Sequence, residues 1–192
     1  MSFFAYANDL VLPENRRIFL RKSGALLSGG AVALLAGAPS LARAADKNAE
    51  SDVRILNTAL GAELEAVAAY QVGAESGLLQ KPVLDLAVTF QGHHKEHAEV
   101  LRSTIAKLGG KPVEAKAKYT FPVETLKTQA DVLKFAASLE KGAVSAYLGA
   151  VPLFSNRDLS KAAASILGDE AMHWAILRNA VGEQPVPGAF VG

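Results

Sequence analysis

Large apolar residues recur at steps of three and four along four stretches of this sequence, and proline is absent from the interior of each stretch. This spacing places the apolar residues on one face of an α-helix. The predicted helices span residues 52–75, 82–109, 130–151 and 157–181. Short links join the first to the second and the third to the fourth, whereas about twenty residues of weak periodicity separate the second from the third. The pattern therefore predicts an all-α fold, a four-helix bundle with one long crossover.

Two irregular segments accompany the helices. The crossover contains Glu124, near which a single helical turn is predicted, and the tail 183–192 contains two prolines and is predicted to be extended. The domain prediction is a bundle with its tail over 45–192, preceded by an N-terminal extension over 1–44.

The amino-acid composition limits the kinds of site and partner that the chain can have. The chain of 192 residues has no cysteine, which excludes disulfides, thiolate catalysis and sulfur-ligated clusters, so that nitrogen and oxygen atoms must hold any metal. Removing the five basic and two acidic residues of 1–44 from the totals of 20 and 19 leaves 15 against 17, a net charge of −2 for the bundle. This balance does not favour nucleic acid as a partner.

The apolar helix faces also carry ionisable residues. On the first helix, Glu63 lies three residues after Leu60 and four before Val67, so it must face the core with them. The same reasoning on the other helices gives the full inward-facing set: Glu63, His94, His97, Glu140, Glu170 and His173. Six buried ionisable groups are costly unless something compensates them, and divalent cations would do so.

An internal repeat relates these residues. Glu63 and Tyr70 recur 77 positions later as Glu140 and Tyr147, while the pair at 94 and 97 recurs 76 positions later at 170 and 173. Two helical hairpins related by a pseudo-twofold axis would bring all of these positions together. The alternative is a bundle in which the carboxylates and imidazoles form buried salt bridges without a metal.

Two neighbours of the inward set are predicted on its flank. His93 and Glu96 are expected to be solvated, although His93 lies one turn before His97 and is an alternative ligand in place of His94.

The N-terminal segment has the pattern of a targeting signal. Residues 15–22 read NRRIFLRK and precede a short, Gly-rich apolar run that ends in Ala42-Arg43-Ala44, a small-x-small cleavage pattern. This segment resembles a twin-arginine signal peptide, which implies the twin-arginine machinery as a partner and a periplasmic or otherwise exported location. An N-terminal membrane anchor is the alternative.

The repeated Glu and the paired ligands three residues apart resemble the ferritin-like superfamily over about residues 50–182. The layout and the signal are most similar to divergent bacterial members of the desiccation-related type. The resemblance implies that Glu63 and Glu140 are terminal ligands, that Glu170 bridges, and that His97 and His173 are imidazole ligands. It also implies that Tyr70 and Tyr147 hydrogen-bond the ligands, and it leaves His94 where a second bridging Glu is expected.

The resemblance further implies two divalent metal ions, iron or manganese, with zinc as a further option. The expected activity is that of a dimetal-carboxylate oxidoreductase, of ferroxidase or peroxidase type, in oxidative-stress chemistry with oxygen, peroxide or ferrous iron. Because His94 leaves only three carboxylates, a non-catalytic metal-binding or stress-protective bundle is the alternative. Whether the chain is an enzyme, and whether it forms a homodimer, stays open at this point.

Overall fold

The computed structural model describes the backbone of residues 39–191 and the side chains of residues 47–191. Four α-helices occur in this range: α1 (Pro39–Glu75), α2 (Lys81–Lys107), α3 (Gln129–Ala150) and α4 (Arg157–Ala180). No β-strand occurs between residues 39 and 191, so the predicted all-α fold is confirmed. The bundle is formed by the part of the chain that follows residue 47. The predicted signal pair, Arg16 and Arg17, lies outside the described residues.

Helix α1 begins 13 residues before the predicted start at residue 52. The prediction marked where the apolar periodicity begins, whereas the helix itself starts at Pro39, a residue that suits a first turn. The intervening residues are rich in alanine, which has the highest helix propensity, and therefore continue the helix without an apolar face. Within residues 39–191, no helix is sufficiently long and apolar to span a bilayer.

The helix ends follow from local chemistry. Helix α2 has Pro82 in its first turn and is followed by Gly109, whose φ of +76° is readily adopted only by glycine. Helix α3 begins with a capping box, in which the Thr128 side chain accepts a hydrogen bond from the backbone of Asp131 and the Asp131 carboxylate accepts one in return. The boundaries of α2, α3 and α4 lie close to the predicted ones.

The core of the bundle consists of two apolar layers with a polar layer between them. One end of the bundle contains an apolar cluster that includes Leu60 and Ile105, and the other end contains a cluster that includes Phe90 and Leu177. Along each helix the ionisable residues lie between these ends, so they form a polar layer in the middle of the bundle. The order of the clusters along the sequence shows that α2 and α3 run parallel, which is why a long crossover must join them.

The crossover is fixed to the bundle by side chains. Asn57 of α1 donates to the carbonyl of Lys111 (3.1 Å) and accepts from the amide of Val113 (2.8 Å). Arg102 of α2 binds both carboxylate oxygens of Glu114, at 3.0 and 2.9 Å. A 3-10 turn at Val123–Thr125 lies where the helical turn near Glu124 was predicted.

Candidate metal centre

All six inward-facing residues meet in the polar layer. Each is buried, with exposed fractions of 0% for Glu170, 1% for His94, Glu140 and His173, 2% for Glu63 and 8% for His97. Helical geometry explains the placement, since each residue lies three or four positions from a core apolar residue of its own helix. The structure therefore brings together every residue that the sequence nominated as a ligand.

The first donor group consists of Glu63, His94, His97 and Glu170, whose ligand atoms all lie within 4.8 Å of one another. His94 Nδ1 is 2.8 Å from Glu63 Oε2, and His97 Nδ1 is 3.1 Å from Glu170 Oε1. The group offers two imidazole nitrogens and two carboxylate oxygens, a donor set that suits a divalent first-row transition ion.

The second donor group consists of His94, Glu140, Glu170 and His173, again within 4.8 Å. His94 Nε2 is 3.3 Å from Glu140 Oε1, and His173 Nδ1 is 3.5 Å from both Glu140 Oε1 and Glu170 Oε2. Glu170 thus presents Oε1 to the first group and Oε2 to the second, the arrangement that a bridging carboxylate requires.

His94 also reaches both groups, through a different ring nitrogen for each. Each group therefore contains two carboxylates and two imidazoles when His94 is counted in both. A neutral imidazole has one lone pair, however, so His94 can serve only one ion at a time.

Ion pairs do not satisfy the whole cluster. Six buried side-chain atoms between residues 47 and 191 have no hydrogen-bond partner: His97 Nδ1, Glu140 Oε2, Asp169 Oδ2, Glu170 Oε1, Glu170 Oε2 and His173 Nδ1. Buried polar atoms without partners are rare and costly in folded proteins. Here they all belong to one cluster and converge on the two donor groups and their immediate surroundings, which is how metal ligands are arranged.

The two tyrosines connect the halves of the bundle crosswise. Tyr70 of α1 donates its hydroxyl hydrogen to Glu140 of α3, and Tyr147 of α3 donates to Glu63 of α1 at 2.6 Å. All four side chains are buried. Each phenol therefore orients the carboxylate supplied by the other half, leaving the remaining oxygen of that carboxylate for another partner.

His93 lies closer to the centre than the predicted solvated flank. Its side chain is 38% exposed, but Nδ1 lies 2.9 Å from His173 Nε2 and 3.0 Å from Asp169 Oδ2. Together with Asp169 and His173 it forms a third group of potential ligands. Glu96, the other flanking residue, is exposed as predicted.

Asp169 is the residue that sequence reasoning missed. It is buried, and its Oδ2 is 3.4 Å from the Nε2 atoms of both His97 and His173. The repeat contained the signal, because position 169 follows position 93 by the same 76 residues that separate the ligand pairs. Asp169 raises the number of carboxylates in the cluster from three to four, enough to balance two divalent cations.

The carboxylates hold the imidazoles in their charged form. Burial lowers the pKa of each ring, but the close contacts with negatively charged carboxylates raise it, to about 10 for His94, about 11 for His97 and about 9 for His173. A ligand nitrogen must be free of its proton to bind a metal. Metal uptake at neutral pH therefore requires these histidines to release protons.

The carboxylates differ in the direction in which their pKa values are shifted. Burial raises the pKa of Glu63 and Asp169, but the close contacts with histidines outweigh it and hold both at about 2. The pKa of Glu140 lies well below its ordinary value for the same reason. Burial and the proximity of Glu140 instead raise the pKa of Glu170, the carboxylate between the two donor groups. Two divalent cations beside Glu170 would favour its charged form.

The fold is shared with two solved structures. A conserved hypothetical protein from Mycobacterium tuberculosis matches with a TM-score of 0.65 and 21% identity, over 74% of this chain and 99% of that one. A ferritin-like, diiron-carboxylate protein from Bacillus anthracis matches with a TM-score of 0.61 and 18% identity, over 70% of this chain and 97% of that one. Among curated proteins, none matches this sequence.

The sequence itself provides the family assignment. A profile described as "Ferritin-like domain" matches residues 51–183, which include α1 from residue 51 onward, the whole of α2, α3 and α4, and every residue of the polar layer. With the bundle topology and the shared fold, this match identifies the chain as a member of the ferritin-like domain family.

Proposed function

We propose that this protein binds two divalent transition ions, iron or manganese, in the polar layer and uses them in redox chemistry with oxygen, peroxide or ferrous iron. The observation that carries the proposal is the set of six buried, unpartnered ligand atoms. The solved structure described as a diiron-carboxylate protein, which has the same fold, supports it. A pair of such ions would supply electron transfer and Lewis acidity at a buried position.

The residues of the chain have distinct roles in this proposal. Glu63 and His97 would hold one ion and Glu140 and His173 the other, with Glu170 between them. The tyrosine hydroxyls orient the two terminal carboxylates, and the apolar layers above and below keep bulk water away. The imidazoles release protons as the ions bind, because the metal-free cluster holds them protonated.

A non-catalytic role in metal binding or stress protection is the second candidate. His94 supports it, since this imidazole stands between the donor groups where a second carboxylate would add negative charge and a second bridge. The lower charge stabilises higher oxidation states of the metals less well. Zinc, which has no redox chemistry, would suit such a protein.

Two measurements separate these candidates. Elemental analysis of the protein purified from its native compartment should give about two metal ions per chain, iron or manganese, on the ferritin-like dinuclear pattern. Oxygen consumption after addition of ferrous iron should then be rapid for the wild type and slow for Glu170→Ala. Zinc in the purified protein, or equal oxygen consumption by both chains, would favour the non-catalytic role, and a metal-free protein would contradict both.

We propose in addition that the protein is exported by the twin-arginine route, on the strength of the sequence of residues 15–44. The double variant Arg16→Lys, Arg17→Lys should leave the precursor in the cytoplasm, because the machinery reads the arginine pair. The matched control is Arg21→Lys, which changes a neighbouring basic residue outside the pair. Normal export of the double variant would contradict this route.

A further inference from the structure

A third group of ligand atoms lies on the side of His173 that faces away from the donor groups. His173 turns Nδ1 toward Glu140 and Glu170, whereas its Nε2 lies 2.9 Å from His93 Nδ1 and 3.4 Å from Asp169 Oδ2. His93 Nδ1 and Asp169 Oδ2 are 3.0 Å apart. We call His93, Asp169 and His173 the outer group, because the His93 side chain is 38% exposed.

The distances in the outer group fit one face of a tetrahedral metal site. With metal–ligand bonds of about 2.0–2.1 Å, two ligands of a tetrahedral ion lie about 3.3 Å apart. The three separations of 2.9, 3.0 and 3.4 Å are close to this value. Two imidazole nitrogens and one carboxylate oxygen are also a donor set common to divalent zinc and iron.

Asp169 provides an independent observation. Its residue is 6% exposed, and its Oδ2 has no hydrogen-bond partner although three imidazole nitrogens lie within 3.4 Å. None of these nitrogens makes a hydrogen bond of normal geometry with this oxygen. A buried carboxylate oxygen without a hydrogen bond is costly, and a cation bound beside it would satisfy it.

We propose that the outer group is a further site for a divalent transition ion, bound by His93 Nδ1, Asp169 Oδ2 and His173 Nε2. This site goes beyond the dinuclear centre, with which it shares only His173. A neutral imidazole has one lone pair, so His173 binds either the outer ion or an ion of the second donor group. The outer ion therefore competes with the second donor group for His173.

The test counts Zn²⁺ per chain by equilibrium dialysis and follows the His93 ring nitrogens by NMR. The wild type and His93→Ala should each bind about two ions, because the second donor group and the outer group compete for one imidazole lone pair. Glu140→Ala weakens the second donor group, so Zn²⁺ should move to the outer group and shift the His93 Nδ1 signal. Adding His93→Ala to Glu140→Ala should then cost about one ion per chain.

Controls keep the outcomes apart. Glu96→Ala changes an exposed residue between His93 and His97 and should leave every count unchanged. Glu140→Gln, which keeps the size of the side chain and removes its charge, replaces Glu140→Ala if circular dichroism shows loss of helix. His93 signals that do not move with Zn²⁺ in the Glu140 variant overturn the outer site. A His93→Ala protein that binds only one ion contradicts the dinuclear proposal instead and leaves the outer site standing.

Discussion

The two halves of the bundle, α1 with α2 and α3 with α4, match in fold but not in charge. Both supply a glutamate, a tyrosine two turns later and a histidine at the end of the ligand motif. At the two remaining positions, the first half has His93 and His94, whereas the second has Asp169 and Glu170. One half is therefore rich in imidazoles and the other in carboxylates, and their contacts cross the pseudo-twofold axis.

This difference gives the layer a network of contacts between opposite charges. The imidazoles of the first half pair with carboxylates of the second, so the metal-free cluster resembles a network of buried ion pairs. Those pairs leave six atoms without hydrogen bonds, which is the feature that a pure ion-pair network would avoid. The ion-pair contacts of the salt-bridge alternative are thus present, and the atoms without hydrogen bonds support the proposed metal centre.

The largest expected effect comes from removing the carboxylate that both donor groups share. The comparison is made in a His93→Ala background, which lacks one ligand of the outer group. In this background, Glu170→Ala should bind almost no ferrous iron under anaerobic conditions. Glu63→Ala and Glu140→Ala, each the ligand of one group, should each keep about one ion. Dialysis followed by elemental analysis measures the difference, and equal retention by all three variants would show that Glu170 does not bridge.

The second prediction concerns how the stability of the metal-free protein depends on pH. Because the pKa values of three histidines are raised, from 6.5 to about 10, 11 and 9, their contribution to the stability of the metal-free protein is complete below pH 6.5. It is lost as pH rises through 9 to 11. Glu63 and Asp169, lowered to about 2, contribute above their ordinary pKa values and lose this contribution in acid. The metal-free protein should therefore melt at the highest temperature between about pH 4.5 and 6.5.

Metal binding should reverse the alkaline trend. Ligand protons compete with the metal, so the rise in Tm on adding Mn²⁺ should be small at pH 5.5 and larger by more than about 5 °C at pH 8. Calorimetry with and without Mn²⁺ checks both trends. A metal-induced rise that is equal at the two pH values would mean that the histidines are not ligands.

The sequence predicted the fold and most of the cluster because helical periodicity determines which residues face the core. Glu63, Glu140 and Glu170 lie in register with large apolar residues, so their inward direction could be inferred without a structure. His93 and Asp169 lie one position from that register. Their direction depends on how α2 and α4 rotate against each other, which a single-helix pattern does not contain.

The same limitation applies to the tyrosines. The spacing of Tyr70 and Tyr147 predicted buried phenols near ligands. It did not predict that each phenol bonds the glutamate of the opposite half, since that requires the relative position of α1 and α3. The repeat offset was the best available signal for such pairs, because a pseudo-twofold axis makes the Tyr70–Glu140 and Tyr147–Glu63 contacts equivalent.

The third prediction tests the difference between the halves directly. Replacing His94 with Glu gives the first half the carboxylate that Glu170 supplies to the second, and so adds a second bridge and one negative charge. Ferrous iron should bind about tenfold more tightly, equivalent to about 1.4 kcal/mol, and should be oxidised faster. Isothermal titration and stopped-flow absorbance measure these changes. Glu96→Asp, an exposed change on the same helix, is the control.

Loss of metal in His94→Glu would contradict the dinuclear arrangement. If His93→Ala were also impaired in binding iron, the histidines of α2 would form a mononuclear site of their own. Tighter binding in His94→Glu with unchanged binding in His93→Ala would instead support two ions held between the halves.

The smallest difference between the halves is expected where they are most alike. Tyr70→Phe and Tyr147→Phe each remove one hydrogen bond to a buried glutamate and leave a carboxylate oxygen without that donor. Each should lower the free energy of unfolding of the metal-free protein by about 1–3 kcal/mol. Because the two phenols occupy equivalent places and each bonds the glutamate of the other half, the two losses should agree within about 0.5 kcal/mol. Urea denaturation of both variants and of the double variant measures this, with Tyr119→Phe, in the crossover, as the control. A much larger loss for one phenol would show that the charge difference between the halves extends to the terminal glutamates, and the pseudo-twofold symmetry of the layer would then hold only for its backbone.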